Sequence, residues 1–322
     1  MERFFCAQES RQAREDPIGN GVFYDHYILV ESPPPWAPQA LDSKSVPDNL
    51  RALKTELAQI LPSTRLLLIY NPQLWQPNHV RCIILRRQTG FAAGYDSQEF
   101  EVAGIDQVAP ALKAALLTPD LVPDPVHSAI RRVLVCTHGS NDQCCARFGN
   151  PFYRQAVKVV ADLGLERVQI WQSSHFSGHR FAPTIIDFPE GRYYGRLDPA
   201  SFQTLLTRSG NLDCFNHIYR GWGILPDPVQ VLERELIFQH GWDWFNYRVT
   251  YQILDQNADE SWNRVALCYQ APDGLTRCYT AEVIADPDRV LYLRGECSGQ
   301  VAEPTPQYVV QNLVQTLVQV DG

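Results

Sequence analysis

An α/β fold, with two similar units in tandem and a small β-rich C-terminal region, is what the sequence predicts, and three observations predict it. Short apolar runs of strand length alternate with amphipathic stretches of helical period. The order of these elements recurs on either side of the stretch 118–127, Thr-Pro-Asp-Leu-Val-Pro-Asp-Pro-Val-His, whose three prolines make it the best linker candidate. From Pro226 onward a helix gives way to alternating strands. The expected boundaries are 1–122, 128–225 and 226–322.

In the first unit, residues 24–32 read as a strand, ended by Pro33-Pro34-Pro35-Trp36, which cannot sit inside a sheet. Leu50, Leu53, Leu57, Ile60 and Leu61 recur at helical spacing behind Pro47 and a Ser45 cap candidate, so 47–61 is a helix. Segments 66–70 and 82–85 read as buried strands and 108–117 as a second helix, giving the order β-α-β-β-α. In the second unit, 133–135 is a strand leading into Cys136, 152–163 a helix and 168–172 a strand leading into His175. A hairpin around Pro189-Glu190-Gly191 and a helix at 202–207 complete the same order. That order is thioredoxin-like, and only the second unit has the ligand-type residues; the first offers Cys6 and Cys82 alone. In the tail, 226–240 reads as a helix and 247–254, 264–270, 276–283 and 290–294 as strands of an antiparallel sheet whose aromatics fill a core.

Composition narrows the function. With 28 basic against 36 acidic residues the formal charge is −8, and no basic block stands out, which argues against nucleic acid as a partner. No apolar stretch reaches the roughly 18 residues of a membrane span. The charged start, Met-Glu-Arg-Phe-Phe-Cys, lacks the apolar core of an export signal. Nine cysteines, an odd number without repeating spacing, point to reduced thiols and a cytoplasmic setting.

Two segments carry chemistry. Cys136-Thr-His-Gly-Ser-Asn-Asp-Gln-Cys144-Cys145 and Ser-His175-Phe-Ser-Gly-His179-Arg each follow a predicted strand of the second unit, so parallel neighbouring strands would bring their loops together. Cys136 and Cys145 have eight residues between them; His175 and His179 are four apart, a spacing that puts both imidazoles on one side of a turn, and Gly178 permits the tight backbone. Two thiolates and two imidazoles make a complete ligand set for an iron–sulfur cluster, zinc or copper.

The motifs Cys-Thr-His-Gly-x-x-Asp-x-Cys-Cys at 136–145, Ser-His-x-x-Gly-His-Arg-Phe-Ala-Pro-Thr at 174–184, Phe-Pro-Glu-Gly-Arg-Tyr-Tyr-Gly-Arg-Leu at 188–197 and Tyr-Arg-Gly-Trp at 219–222 resemble the sucrase/ferredoxin-like family. The resemblance extends to Pro-Ile-Gly at 17–19 and Val-Glu-Ser-Pro-Pro-Pro-Trp at 30–36, and weakens after residue 245. It implies a thioredoxin-like [2Fe–2S] protein, related to fungal actin-patch-distal proteins, with Cys136, Cys145, His175 and His179 as ligands and one-electron, proton-coupled transfer as activity. Cys144, where many relatives have a basic residue, is the alternative ligand. Arg180 is a candidate for stabilising the reduced cluster, His138 and Asp142 for shaping the loop, and Cys214 and His217 for packing.

Three other functions compete. Zinc satisfies the same Cys2His2 set without redox chemistry. A sucrose-hydrolysing enzyme, as the family label has it, needs two carboxylates flanking the scissile bond, and Asp142, Asp187 and Glu190 form no recognisable pair. A thiol–disulfide oxidoreductase lacks its Cys-x-x-Cys motif. The expected protein is thus an electron carrier rather than a hydrolase, with a redox partner that the sequence does not name.

Overall fold

Strands β1 (His26–Glu31) and β2 (Thr64–Tyr70) are parallel, linked by helix α2 (Asp48–Ile60), and follow a short N-terminal helix α1 (Cys6–Gln12). The computed structural model describes residues 4–117 and 130–317, so the proposed linker at 118–127 and the boundaries at 122 and 128 lie outside the described residues. Strands β3 (Val80–Arg87) and β4 (Tyr95–Val102) extend the sheet antiparallel to β1, and helix α3 (Val108–Leu117) closes this half. The second half repeats the pairing. Strands β5 (Arg131–Cys136) and β6 (Val168–Ser173) are parallel around helix α4 (Asn150–Asp162), β7 (Ile185–Phe188) and β8 (Arg192–Tyr194) add antiparallel, and α5 (Pro199–Thr207) follows. A one-turn helix α6 (Phe215–Ile218) and strand β9 (Tyr219–Trp222) end it.

Both halves therefore run β-α-β-β-β-α, one strand more than read in the first. The strand that the sequence hid is β4, Tyr-Asp-Ser-Gln-Glu-Phe-Glu-Val, which lies on the sheet edge. An edge strand needs little apolar content, and Glu99 and Glu101 on it pair with Arg81 of β3. The two halves share one nine-stranded sheet in the order β4-β3-β1-β2-β6-β5-β7-β8-β9, joined where Ile69 and Tyr70 of β2 meet Ser173 and Gln172 of β6.

Alternation along β1 explains how both faces are buried. Ile28 and Val30 face α2 and α3, packing with Leu50, Leu53, Leu57 and Leu112, while Tyr27 and Leu29 face the opposite core. That second core is continuous with residues of the other half and of the C-terminal region. Helix α7 (Asp227–His240) presses Val229, Leu232, Leu236 and Ile237 into it. Beyond α7, strands β10 (Arg248–Gln256), β11 (Trp262–Gln270) and β12 (Thr276–Ala285) form an antiparallel sheet. A hairpin, β13 (Leu291–Arg294) and β14 (Ala302–Thr305), follows, and β15 (Tyr308–Leu317) returns to pair with β12. The aromatics Trp244, Tyr269 and Tyr279 are buried in the core.

The expectation of wholly reduced thiols needs correction. Cys268 and Cys278 lie directly opposite each other on β11 and β12 and are joined as a disulfide. The spacing of the two in sequence says nothing about register, which the turn between the strands sets. No helix among the described residues is long and apolar enough to cross a membrane.

Candidate metal centre

Parallel register brings the two ligand loops together. Cys136, the last residue of β5, pairs with Ser173, the last residue of β6, so His175 lies two residues past the level of Cys136. Cys145 returns to the same place because the chain turns through a π-helical turn, Cys145–Gly149, before α4. Gly149 allows that return: a Cβ there would lie 2.0 Å from the Cys136 carbonyl oxygen. Gly178, between the histidines, has φ +76°, and a Cβ on it would overlap the Arg220 guanidinium.

Cys136, Cys145 and His175 converge with their ligand atoms within 4.8 Å of one another. Nδ1 of His175 is 3.8 Å from Cys136 Sγ and 3.6 Å from Cys145 Sγ. The sulfurs are buried and the imidazole is partly exposed. His179 stands one ring further out, its centroid 5.3 Å from that of His175, outside the three-way convergence. Its Nε2 donates to the Gly295 carbonyl at 2.7 Å, which leaves Nδ1 as the lone-pair nitrogen. That Nδ1 is buried with no hydrogen-bond partner. An orphaned buried acceptor one ring from the Cys136, Cys145 and His175 group fits a further metal ligand.

The two thiols are unequal. Burial opposes ionisation of Cys136, but hydrogen bonds from Cys145 and His175 outweigh it and hold that thiol well below its ordinary range. The hydrogen bond to Cys136, then burial, push Cys145 well above it. Of the pair, Cys136 is the ready thiolate, the form in which sulfur binds metal.

His138 does more than shape a turn. Its Nε2 donates to the Ala37 carbonyl at 2.8 Å, and its Nδ1 accepts the His175 backbone N–H at 3.1 Å. It therefore fixes His175 from below, and burial lowers its own pKa. Asp142 likewise accepts the backbone N–H of Cys144 and of Cys297. Arg65 of β2 donates to the His175 carbonyl at 2.6 Å. A cavity of about 370 Å³ opens beside His175, walled by Arg65, Lys54 and Pro38.

Arg180, the cation the sequence offered, has its guanidinium held by buried Glu15 at 2.6 Å. The buried cation near Cys136 is Arg220, whose hydrogen bonds go to the Asn20 and Ser177 carbonyls. Burial lowers its pKa to about 10, which still leaves it charged at neutral pH, and it lies within electrostatic reach of Cys136. Its sequence signal was the Tyr-Arg-Gly-Trp motif; for Gly295 there was none. His217, read as a packing residue, is exposed, while Cys214 packs at the core edge. Cys144 places its sulfur with those of Cys6 and Cys297. Asp187 is gripped by Arg131, and Glu190 by Arg192 and Arg208.

The sequence model of the family described as sucrase/ferredoxin-like matches residues 17–221. Among curated proteins, altered inheritance of mitochondria protein 32 of Meyerozyma guilliermondii is 32% identical over 78 residues, covering 23% of this chain and 28% of that protein. Its counterpart in Debaryomyces hansenii is 30% identical over 97 residues, covering 28% and 34% respectively. The match thus spans about a third of these relatives' length or less. Among solved structures, a thioredoxin-like [2Fe–2S] ferredoxin from Aquifex aeolicus aligns at 15% identity and a TM-score of 0.22, covering 24% of this chain and 78% of that one. A variant of that ferredoxin aligns at 16% identity and a TM-score of 0.21, covering 24% and 85%.

Proposed function

This chain belongs to the sucrase/ferredoxin-like family, and on that premise we propose that it is a [2Fe–2S] protein passing single electrons, with Cys136, Cys145, His175 and His179 as ligands. The observation that carries this reading is the convergence of two buried sulfurs on His175 Nδ1, with the partnerless Nδ1 of His179 one ring away. The donor chemistry fits: two thiolates and two imidazoles are the ligands of a Rieske-type centre. When bound, the cluster supplies one-electron redox chemistry whose potential is linked to protonation of its imidazoles.

The chain's own residues do the rest. Burial of Cys136 and Cys145 excludes water from the sulfur side, and the imidazoles form the face through which electrons pass to a partner. Nε2 of His179 donates to the Gly295 carbonyl and Nε2 of His175 accepts the Ser177 backbone N–H, so each imidazole is held in place by a backbone group. Arg220 places a buried positive charge behind the loop, which favours added negative charge on the thiolate side.

The reading extends to architecture: two thioredoxin-like units in tandem, the second carrying the cluster, supported by the strand orders β4-β3-β1-β2 and β8-β7-β5-β6. It extends also to a reducing, cytoplasmic setting, in keeping with seven unpaired cysteines. A sucrose-hydrolysing role finds less support, because Asp187 and Glu190 are tied to arginines.

The test is the visible and electron paramagnetic resonance spectrum of anaerobically purified protein, with His175→Cys and Cys136→Ser. The expected result is a red-brown protein whose spectrum shifts in the first variant and is lost in the second. A colourless protein with zinc bound to this Cys2His2 set would overturn the reading.

A further inference from the structure

Three cysteines that are far apart in the chain meet at one point outside the centre just described. Cys6 opens α1, Cys144 lies in the ligand loop, and Cys297 lies between β13 and β14. Their sulfurs are 3.6 Å (Cys6 to Cys144), 3.2 Å (Cys144 to Cys297) and 3.5 Å (Cys297 to Cys6) apart. Asp142 completes the group, its Oδ1 3.2 Å from Cys297 Sγ. The four ligand atoms lie within 4.8 Å of one another.

We propose that Cys6, Cys144, Cys297 and Asp142 form a second, mononuclear metal site for a thiophilic divalent cation, zinc. The size of the triangle carries the identity. A tetrahedral zinc with Zn–S bonds of about 2.3 Å spaces its sulfurs about 3.8 Å apart. The observed edges of 3.6, 3.5 and 3.2 Å lie inside that spacing by at most about 0.6 Å, so the triangle has room for one ion and not for a multi-iron cluster. Three sulfurs cannot satisfy one another as a disulfide, which would strand the third.

The surroundings hold the three sulfurs and the carboxylate in place. Cys6 and Cys144 are fully buried, boxed by Ala7, Ala182, Phe5 and Phe148. The Cys6 backbone N–H donates to Cys297 Sγ at 3.4 Å. The backbone N–H groups of Cys144 and Cys297 donate to the two oxygens of Asp142 at 2.8 and 3.0 Å, which aims the carboxylate at the sulfurs. Ligands fixed by such hydrogen bonds lose little entropy on binding.

This site is distinct from the cluster centre but braces it. Cys144 faces one site while its neighbour Cys145 faces the other. Gly295, which accepts the His179 Nε2 proton, is two residues from Cys297. One ion would therefore pin the N-terminal helix, the C-terminal hairpin and the ligand loop together. The proposal stands whether or not the neighbouring centre holds a [2Fe–2S] cluster.

The experiment measures zinc and iron per chain by mass spectrometry on the full-length protein, purified after growth with both metals, and records zinc-edge X-ray absorption. The expected result is one zinc per chain with three sulfurs at about 2.3 Å and one oxygen at about 2.0 Å. Zinc should fall to background in Cys6→Ser and in Cys297→Ser, with iron and the visible spectrum retained. Should those variants not fold, absorption on the native protein decides alone. Two sulfurs and two nitrogens would place the zinc in the Cys136 and His175 set, which overturns this proposal and the cluster reading together. Absence of zinc from an iron-loaded protein, or a disulfide between any two of the three cysteines in anaerobic preparations, would overturn this proposal and leave the cluster reading intact.

Discussion

Arg220 lies beneath the His175–His179 loop with both ends of its guanidinium on carbonyl oxygens, so its charge is not cancelled by a carboxylate there. With the proposed cluster bound beside it, removing this charge should make that cluster harder to reduce. A unit charge acting through an effective dielectric of about 20 changes a one-electron potential by something on the order of tens of millivolts. Arg220→Gln is therefore expected to lower the midpoint potential by that much in a redox titration followed by electron paramagnetic resonance, whereas Arg180→Gln should leave it near the native value, because Arg180 is spent on Glu15. Equal shifts in both variants would refute the assignment. The sequence pointed to Arg180 because it follows His179. Nearness along the chain is a poor guide to which charge faces a site, since that depends on how β9 returns beside β8.

At the scale of elements, what the sequence showed well were apolar runs and amphipathic helices: α3 was read at its observed limits and α2, β5 and α7 within a residue or two. What it hid were the polar edges and short pieces, β4, α1 and β15, whose conformation is imposed by neighbours rather than by their own pattern. Two elements, β1 and α7, carry the prediction that belongs here. His26 at the start of β1 and His240 at the end of α7 are each pushed down in pKa, chiefly by burial. With folded values below the unfolded value of 6.5, the unfolded chain binds more protons as pH falls through that region, so stability should drop on acidification from 7.5 to 5.5. Urea melts across this range should show the loss in the native protein and a shallower dependence in His26→Gln/His240→Gln. A flat native profile would refute it.

At the scale of the molecule, the half that lacks Cys136, Cys145, His175 and His179 is not idle scaffold. It supplies the Ala37 carbonyl to His138, the Trp36 carbonyl to the Ser140 hydroxyl at 2.6 Å and the Arg65 guanidinium to the His175 carbonyl. Leu68 of β2 exchanges hydrogen bonds with Ser174, taking the Ser174 N–H and giving its own N–H to the Ser174 hydroxyl. The Pro-Pro-Pro-Trp stretch, legible in sequence as a strand breaker and as part of the family resemblance, thus leads into one wall of the site. Because the sheet runs unbroken through both halves and one core spans them, they should unfold together. Ile69, fully buried where β2 meets β6, tests this. Ile69→Ala should cost about 3 kcal/mol by cavity formation. Far-UV circular dichroism and the visible absorbance of the loaded protein should then move to lower denaturant as one coincident transition. If the visible signal kept its native midpoint while half of the dichroism was lost early, the halves would be independent and the first would have no hold on the ligands.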